Sequence, residues 1–225
     1  MDHSVRVVVL RGAGRAFCAG LDLKDRSNAP EAGTASSSPQ AGLVGQRRIS
    51  EIVMRMRRAP QPIISLVHGP ACGGGFALAL ASDIRIAGES ARMNAAFIRI
   101  GLSACDIGVS YFLPRLVGVS VASELMMTGR FINAARAERV GLVSEVVPDD
   151  QLASAVQPYL EEMLTTAPLG LRLTKECLNM SVDAGSLEAA VAMEDRNQIL
   201  CAQTQDFREG ISAFLGKRAP EYQNT

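Results

Sequence analysis

The sequence predicts a chain of the α/β class with parallel strands, followed by a helical region. Short apolar runs at residues 5–10 and 63–67 are separated by a segment with helical periodicity. Each run is followed by a glycine-bearing turn, at residues 12–23 and 68–76. After Pro114 the patterns become almost entirely helical. Parallel strand–helix–strand units are therefore expected first, and a helical region after them.

The first elements follow from apolar patterning. Residues 5–10 are apolar apart from Arg6, which predicts a buried strand. Residues 28–42 are rich in Ala, Ser, Gly and Pro, which predicts a mobile surface loop. In residues 43–58 the apolar side chains recur along one stripe, which predicts an amphipathic helix. Residues 63–67 predict the next buried strand.

The later elements are read in the same way. A helix is predicted to begin within the second glycine turn and to include residues 76–80, with a strand at residues 83–87 after it. Further helices are predicted at residues 119–127, 134–139, 150–165, 169–180 and 187–215. A short strand at residues 143–147 interrupts them. We therefore predict a core domain at residues 1–117 and a helical region at residues 118–225.

Composition excludes several classes of protein. With 225 residues, the chain suits one large domain or a domain with a small appendage. The 23 Lys and Arg residues balance the 23 Asp and Glu residues, so no nucleic-acid partner is expected. No apolar run could span a membrane and no secretory signal pattern is seen, which predicts a cytoplasmic location. The five cysteines lack metal-ligand spacing, so reduced thiols and no metal are expected.

The two glycine turns indicate chemistry on an activated acyl group. Glycine permits positive φ and close approach, so each turn can present a bare backbone N–H group. Two such groups that converge on one point form an oxyanion hole, which stabilises charge on a carbonyl oxygen.

The turns read AFCAGLDL at residues 16–23 and HGPACGGG at residues 68–75. Other characteristic segments are SDIRIA at residues 82–87, IGL at 100–102, MTGR at 127–130, GLV at 141–143 and the tail at 206–218. In this order they resemble the crotonase family, also called the enoyl-CoA hydratase/isomerase superfamily, over essentially the whole chain. The resemblance implies a spiral core of repeated ββα units. It also implies C-terminal helices that pack between subunits of a homotrimer or hexamer.

The resemblance further implies a site for an acyl-CoA thioester, with coenzyme A as part of the substrate and no separate cofactor. The N–H groups of Leu21 and Gly74 correspond to the family's oxyanion hole. Gly74 lies at the predicted helix N-terminus, where the helix dipole strengthens a donor. The residues that match the coenzyme A site are Ala19, Leu21, Asp22, Leu23, Lys24 and Gly74.

Two positions depart from the hydratase pattern. Hydratases of the family hold a water molecule between two glutamates, whose positions are occupied in this chain by Ala77 and Phe97. Neither side chain can transfer a proton, so hydration by two glutamates is not expected. One carboxylate, Asp106, follows in residues 101–108. Dienoyl-CoA isomerases and chlorobenzoyl-CoA dehalogenases of the family carry an aspartate in a similar loop, although the loop of this chain is one residue longer.

Two compatible roles are open for Asp106. It could act as a single proton shuttle, or it could cap the helix expected to start near Ile107. His68 is expected to be structural, and Glu124 lies in a helix from which it could reach the acyl pocket. The chain is thus predicted to be an acyl-CoA enzyme, either hydratase-type or a double-bond isomerase. The alternatives are a catalytically silent acyl-CoA-binding protein and a structural subunit of an oligomer.

One unit of the family pattern is absent from the sequence. Family members carry a further strand–helix unit before the segment that begins at Val5, and that unit contributes to the coenzyme A site. Either translation starts further upstream or the chain is truncated. The strand at residues 5–10 is then expected to lie at an exposed sheet edge.

Overall fold

The computed structural model describes residues 4–24 and 38–225. The strands in these ranges are β1 (Val8–Arg11), β2 (Ile63–Val67), β3 (Pro70–Cys72), β4 (Ile84–Gly88), β5 (Arg92–Asn94), β6 (Ile132–Asn133) and β7 (Glu145–Val147). The helices in the same ranges are α1 (Pro39–Arg58), α2 (Gly74–Ala81), α3 (Val109–Thr128), α4 (Ala134–Arg139), α5 (Leu152–Ala155), α6 (Gln157–Leu164), α7 (Pro168–Ser181), α8 (Leu187–Ala202) and α9 (Gln205–Leu215). A 3₁₀ helix spans Ala96–Ile100.

The strands form two sheets. In the first sheet the order is β1, β2, β4, β7, and the β2–β4 and β4–β7 pairs are parallel. In the second the order is β3, β5, β6, with β3 and β5 parallel and β5 and β6 antiparallel. The predicted α/β class with parallel strands is confirmed. β1 lies at one edge of the first sheet, where an edge strand was expected. The prediction of a buried strand at residues 5–10 is wrong, because the strand begins at Val8 and all four of its residues are exposed or partly exposed.

The core is built around β2 and α2. All five residues of β2 are buried, which explains why the strand is apolar on both faces apart from Ser65. The Ser65 hydroxyl has a buried partner in the Ser82 hydroxyl. Six of the eight residues of α2 are also buried, so this helix is apolar on every side. Arg85 on β4 is a buried cation that donates to the backbone oxygens of Leu142 and Ser82, at 2.8 and 2.5 Å. Burial lowers the pKa of Arg85 to about 10.

Predicted and observed elements agree most closely at two short segments. The predictions at residues 63–67 and 134–139 coincide with β2 and α4. The helix predicted at residues 43–58 begins earlier, at Pro39, within the segment that was predicted to be a loop. The part of that loop prediction that falls on residues 28–37 lies outside the described residues.

Two long helical predictions are each divided in two. Residues 150–165 form α5 and α6, and residues 187–215 form α8 and α9. The second division has a clear cause. The Thr204 hydroxyl oxygen accepts a hydrogen bond from Phe207 N at 3.1 Å, which caps a new helix. The short strands β3, β5 and β6 were not predicted, because two or three residues carry no recognisable period.

The chain divides into two compact units. One contains Met1–Val8, Arg58–Ile63 and Val156–Thr225, and the other contains Val9–Arg57 and Ile64–Ala155. The predicted boundary between residues 117 and 118 does not coincide with this division. It falls inside α3, whose residues Ala122 and Leu125 belong to the hydrophobic core of the second unit.

In the part of the chain that the structure describes, no helix is long and apolar enough to cross a membrane. Among the same residues, no group of His, Cys, Asp and Glu side chains is arranged to hold a metal ion. The cysteines are free thiols.

Candidate active site

The two glycine turns lie side by side in the second unit. Cys18 forms an isolated parallel bridge with Ala71, and Cys72 N donates to Cys18 O at 3.0 Å. These contacts bring Gly20 to the start of α2, since a Cβ atom on Gly20 would lie 3.9 Å from Gly74 N. Two turns that are far apart in the sequence thus converge on one place.

Two backbone amides at this place have no acceptor. Within the described residues, neither Leu21 N nor Gly74 N donates a hydrogen bond. Leu21 is exposed, with 47% of its surface accessible, and Gly74 is partly exposed. Gly74 is the first residue of α2, where the unpaired N–H groups carry the positive end of the helix dipole. An anionic oxygen could therefore be bound at this point.

Local backbone geometry explains the glycines of these turns. Gly20 and Gly73 have φ angles of 97° and 52°, in the left-handed region that glycine adopts without strain. Gly75 has an ordinary φ angle, but a Cβ atom there would overlap the carbonyl oxygen of Cys18. The first turn of α2 thus approaches the Cys18 backbone as closely as glycine allows.

The stretch predicted to bind coenzyme A is at the surface. Ala19, Leu21, Asp22, Leu23 and Lys24 are all exposed. The Asp22 carboxylate accepts a hydrogen bond from Lys24 N at 2.9 Å, so it orders its own turn.

The two positions expected to hold glutamates in a hydratase have apolar surroundings. Ala77 is fully buried in α2. A ring carbon of Phe97 lies 3.4 Å from the position that a Cβ atom on Gly73 would occupy. Burial also raises the pKa of the neighbouring Cys72 thiol, which keeps it protonated. No proton-transfer group is therefore present at either of the two positions.

Asp106 does not cap α3. The N-cap residue is Gly108, with a φ angle of 89°, and no side chain caps this helix. The Asp106 side chain instead bonds within its own loop, where Oδ1 accepts from Ile107 N at 2.8 Å. The capping role that sequence patterning left open is wrong, because α3 begins two residues later than expected.

The residue after Asp106 joins this loop to the glycine turn. Ile107 has a φ angle of 35°, which is unfavourable for a β-branched residue. Its Cδ1 atom lies 3.7 Å from the position of a Cβ atom on Gly74. Strained residues of this kind cluster at functional sites. The loop that carries Asp106 therefore packs against the residue that presents one of the unpaired amides.

Gln46 on α1 contacts Asp106, and this contact was not predicted. Gln46 Nε2 donates to Asp106 Oδ1 at 2.5 Å. The two residues are 60 positions apart, and Gln46 belongs to no motif. No signal in the sequence could have paired them.

Two other candidate residues have structural partners. His68 Nε2 is 2.8 Å from Gly14 O, as expected for a structural histidine. Glu124 forms hydrogen bonds with Arg136 at 2.7 and 2.8 Å, so its carboxylate is already occupied.

Comparison with known proteins agrees with the fold and the glycine turns. The model of the enoyl-CoA hydratase/isomerase family matches residues 1–225. The chain belongs to this family, the crotonase superfamily, and is an enzyme of the hydratase/isomerase type.

Individual relatives carry both activities in their names. The chain is 43% identical over 222 residues to the "Probable enoyl-CoA hydratase EchA12" of Mycobacterium tuberculosis, and the match covers 98% of this chain and 78% of that protein. It is 37% identical to the 1,2-epoxyphenylacetyl-CoA isomerase of Escherichia coli, over 98% of this chain and 82% of that protein. The crystal structure of an enoyl-CoA hydratase from Bacillus anthracis superposes with a TM-score of 0.90 at 34% identity, covering 100% of this chain and 83% of that one.

Proposed function

We propose that the protein acts on acyl-CoA thioesters and moves a double bond along the acyl chain. In this proposal the N–H groups of Leu21 and Gly74 bind the thioester oxygen, and Asp106 moves the proton. The observation that carries it is the pair of unpartnered amides on adjoining glycine turns. Ala77 and Phe97, at the two expected glutamate positions, leave Asp106 as the proton carrier.

The chemistry needs no reactant besides the substrate. Two N–H donors on the thioester oxygen withdraw electrons and make a C–H bond of the acyl chain acidic. Asp106 accepts that proton, and the electron pair moves onto the thioester oxygen as an enolate. Loss of one oxyanion donor costs about 3–4 kcal/mol in other enzymes. Asp106 then returns the proton to a different carbon, and the double bond has moved.

Hydration is supported less well than isomerisation. Addition of water requires a group that activates the water molecule as well as one that protonates the acyl chain. Ala77 is fully buried and Phe97 is apolar, so neither residue can hold that water.

The apolar surroundings favour a hydrocarbon acyl group. Phe76 and Ala77 are fully buried in α2, and the Phe97 ring packs against the Gly73 turn. Apolar walls with a few polar groups are typical of pockets that bind such ligands. We propose that coenzyme A lies along residues 19–24 and that the acyl chain extends toward Phe97.

The test is an assay with trans-2-enoyl-, 3-enoyl- and 3,5-dienoyl-CoA, with products resolved by chromatography and mass spectrometry. We expect a product of unchanged mass. Because general acid–base catalysis typically contributes about 10²–10⁴-fold, Asp106→Asn should slow its formation by that factor. Asp150→Asn, at an exposed residue whose side chain forms no hydrogen bond within the described residues, is the control and should keep the full rate.

Each other result contradicts a part of the proposal. A product heavier by one water would identify a hydratase and require another group to activate water. Full activity in Asp106→Asn would remove Asp106 from the mechanism. Tight binding of all three thioesters without any product would favour a silent acyl-CoA-binding protein.

A further inference from the structure

The hydrogen bonds of Asp106 are distributed unequally between its two carboxylate oxygens. Oδ1 accepts from Gln46 Nε2 at 2.5 Å and from Ile107 N at 2.8 Å. Within the described residues, Oδ2 has no hydrogen-bond partner. One oxygen is therefore held by two donors, while the other is free to exchange a proton.

This asymmetry determines where a proton would reside. A carboxyl group that gains a proton keeps one oxygen as an acceptor and turns the other into a donor. An oxygen that already faces two N–H groups cannot also carry a hydrogen directed at them. The proton is therefore directed to Oδ2, and both N–H bonds to Oδ1 persist whether Asp106 is charged or neutral.

The two donors come from different elements of the chain. Ile107 N belongs to the same strained loop as Asp106 and is adjacent to it in the sequence, so it cannot fix Asp106 relative to another element. Gln46 lies on α1, a 20-residue helix that is anchored in the core through the buried side chain of Val53. Gln46 thus ties Asp106 to an element outside the loop and opposes rotation of its carboxyl group.

We propose that Gln46 is a positioning residue, which holds Oδ1 of Asp106 so that Oδ2 faces the substrate in every step of proton transfer. The inference rests on the proposed function, in which Asp106 carries the proton. Gln46 itself touches no reacting atom. Its removal should slow the chemical step and leave substrate binding unchanged.

The test compares Gln46→Leu with Gln40→Leu. Both glutamines are exposed on α1, and Gln40 forms no side-chain hydrogen bond within the described residues. The probe is exchange of acyl protons for deuterium when each thioester of the panel is incubated with enzyme in D2O. This exchange reports proton removal even where no net product accumulates.

For Gln46→Leu we expect kcat for exchange to fall about ten- to a hundredfold, as loss of a hydrogen bond to a charged group or a small misplacement would cause. KM should change by less than about twofold, because binding does not use this bond. Gln40→Leu should behave as the wild type, and the thermal midpoints of the two variants should agree. Gln46→Glu, which replaces the donor by an acceptor, should not restore the rate.

A double-mutant cycle separates the two proposals. If Gln46 acts only through Asp106, Gln46→Leu should have no effect in an Asp106→Asn background. Unchanged kcat in Gln46→Leu, with activity lost in Asp106→Asn, would overturn the positioning role and leave the proposed function standing. Full exchange in Asp106→Asn, or no exchange in the wild type, would overturn both. An equal loss in Gln40→Leu would overturn the positioning role as well, because it would show that only the helix is disturbed.

Discussion

The carboxylate of Glu124 joins α3 to the segment that contains α4. It accepts hydrogen bonds from Arg136 at 2.7 and 2.8 Å and from Arg130 at 3.2 Å. The hydrogen bond with Arg136, reinforced by the charges of both arginines, lowers the pKa of Glu124 to about 2. Glu124 therefore stabilises the fold and does not act in the acyl pocket.

This pKa predicts a pH-dependent stability. The pKa of Glu124 in the folded protein lies below its ordinary value of 4.5, so the ionised form stabilises the fold above pH 4.5. That contribution is lost as the pH falls from 4.5 toward 2. Denaturant unfolding should show Glu124→Gln to be less stable than the wild type at about pH 6, with the difference shrinking steadily at lower pH.

The matched control is Glu162→Gln, at an exposed glutamate that forms no ion pair within the described residues. Its stability should follow the wild type at each pH. The side chain of Glu124 is 31% exposed, so solvent weakens its interaction with the two arginines. A stability difference between Glu124→Gln and the wild type that does not change with pH would contradict the stabilising role of the Glu124 carboxylate.

At the scale of elements, the junction between β3 and α2 determines the geometry of the site. The chain passes from Cys72 through Gly73, at a φ angle of 52°, directly into α2. Gly75 then faces the Cys18 backbone at a distance that admits no Cβ atom, whereas a Cβ atom on Gly74 would make an ordinary 3.7 Å contact with Ile107. The three consecutive glycines are therefore needed for different reasons: Gly73 for its positive φ angle and Gly75 for its close contact, whereas Gly74 has neither constraint.

The neighbouring alanine substitutions should differ sharply. Gly75→Ala should destabilise the protein by about 1–3 kcal/mol or more, since a rigid backbone oxygen must move to admit the methyl group. Gly74→Ala should leave the thermal midpoint nearly unchanged. Thermal unfolding of the two variants measures the contrast, and equal midpoints would mean that α2 does not approach Cys18 so closely.

At the scale of the whole molecule, the helices of the unit that contains Val156–Thr225 expose large apolar side chains. Leu187, Phe214 and Leu215 are 75%, 82% and 75% exposed, and α9 also presents Phe207 and Ile211 to solvent. The four α9 side chains recur at helical spacing, and exposed apolar surface of this kind is typical of protein–protein interfaces. We propose that other copies of the chain cover it, as the family resemblance implied.

Light scattering on the purified protein should then give a mass of three or six chains. Replacing both Phe214 and Leu215 with Ser should lower that mass, because burial of each large apolar side chain contributes about 1.5–3 kcal/mol. Arg208→Ser, at an exposed polar position on the same helix, should leave the mass unchanged. A wild type that stays monomeric at high concentration would refute the proposal.

Much of the architecture could be predicted from local patterns. The continuous burial of β2 and the limits of α4 follow from apolar periodicity, which each segment carries by itself. The two glycine turns could also be predicted from the sequence. Positions with a positive φ angle or a close backbone contact favour glycine, because other residues are strained there or have no room for a Cβ atom. The strands β3, β5 and β6 were missed because pairing with distant partners defines them, and no local period does.

The candidate site likewise has features that the sequence determines and features that only the folded chain determines. Residue identity alone established that Ala77 and Phe97 cannot transfer a proton, and that Asp106 is a carboxylate in the adjacent loop. The start of α3 at Val109 follows from the left-handed backbone of Gly108. The contact between Asp106 and Gln46 depends on how α1 packs beside that loop. A hydrogen bond between residues 60 positions apart exists only when the backbone brings them together. Its two partners could therefore not be recognised before the chain was folded.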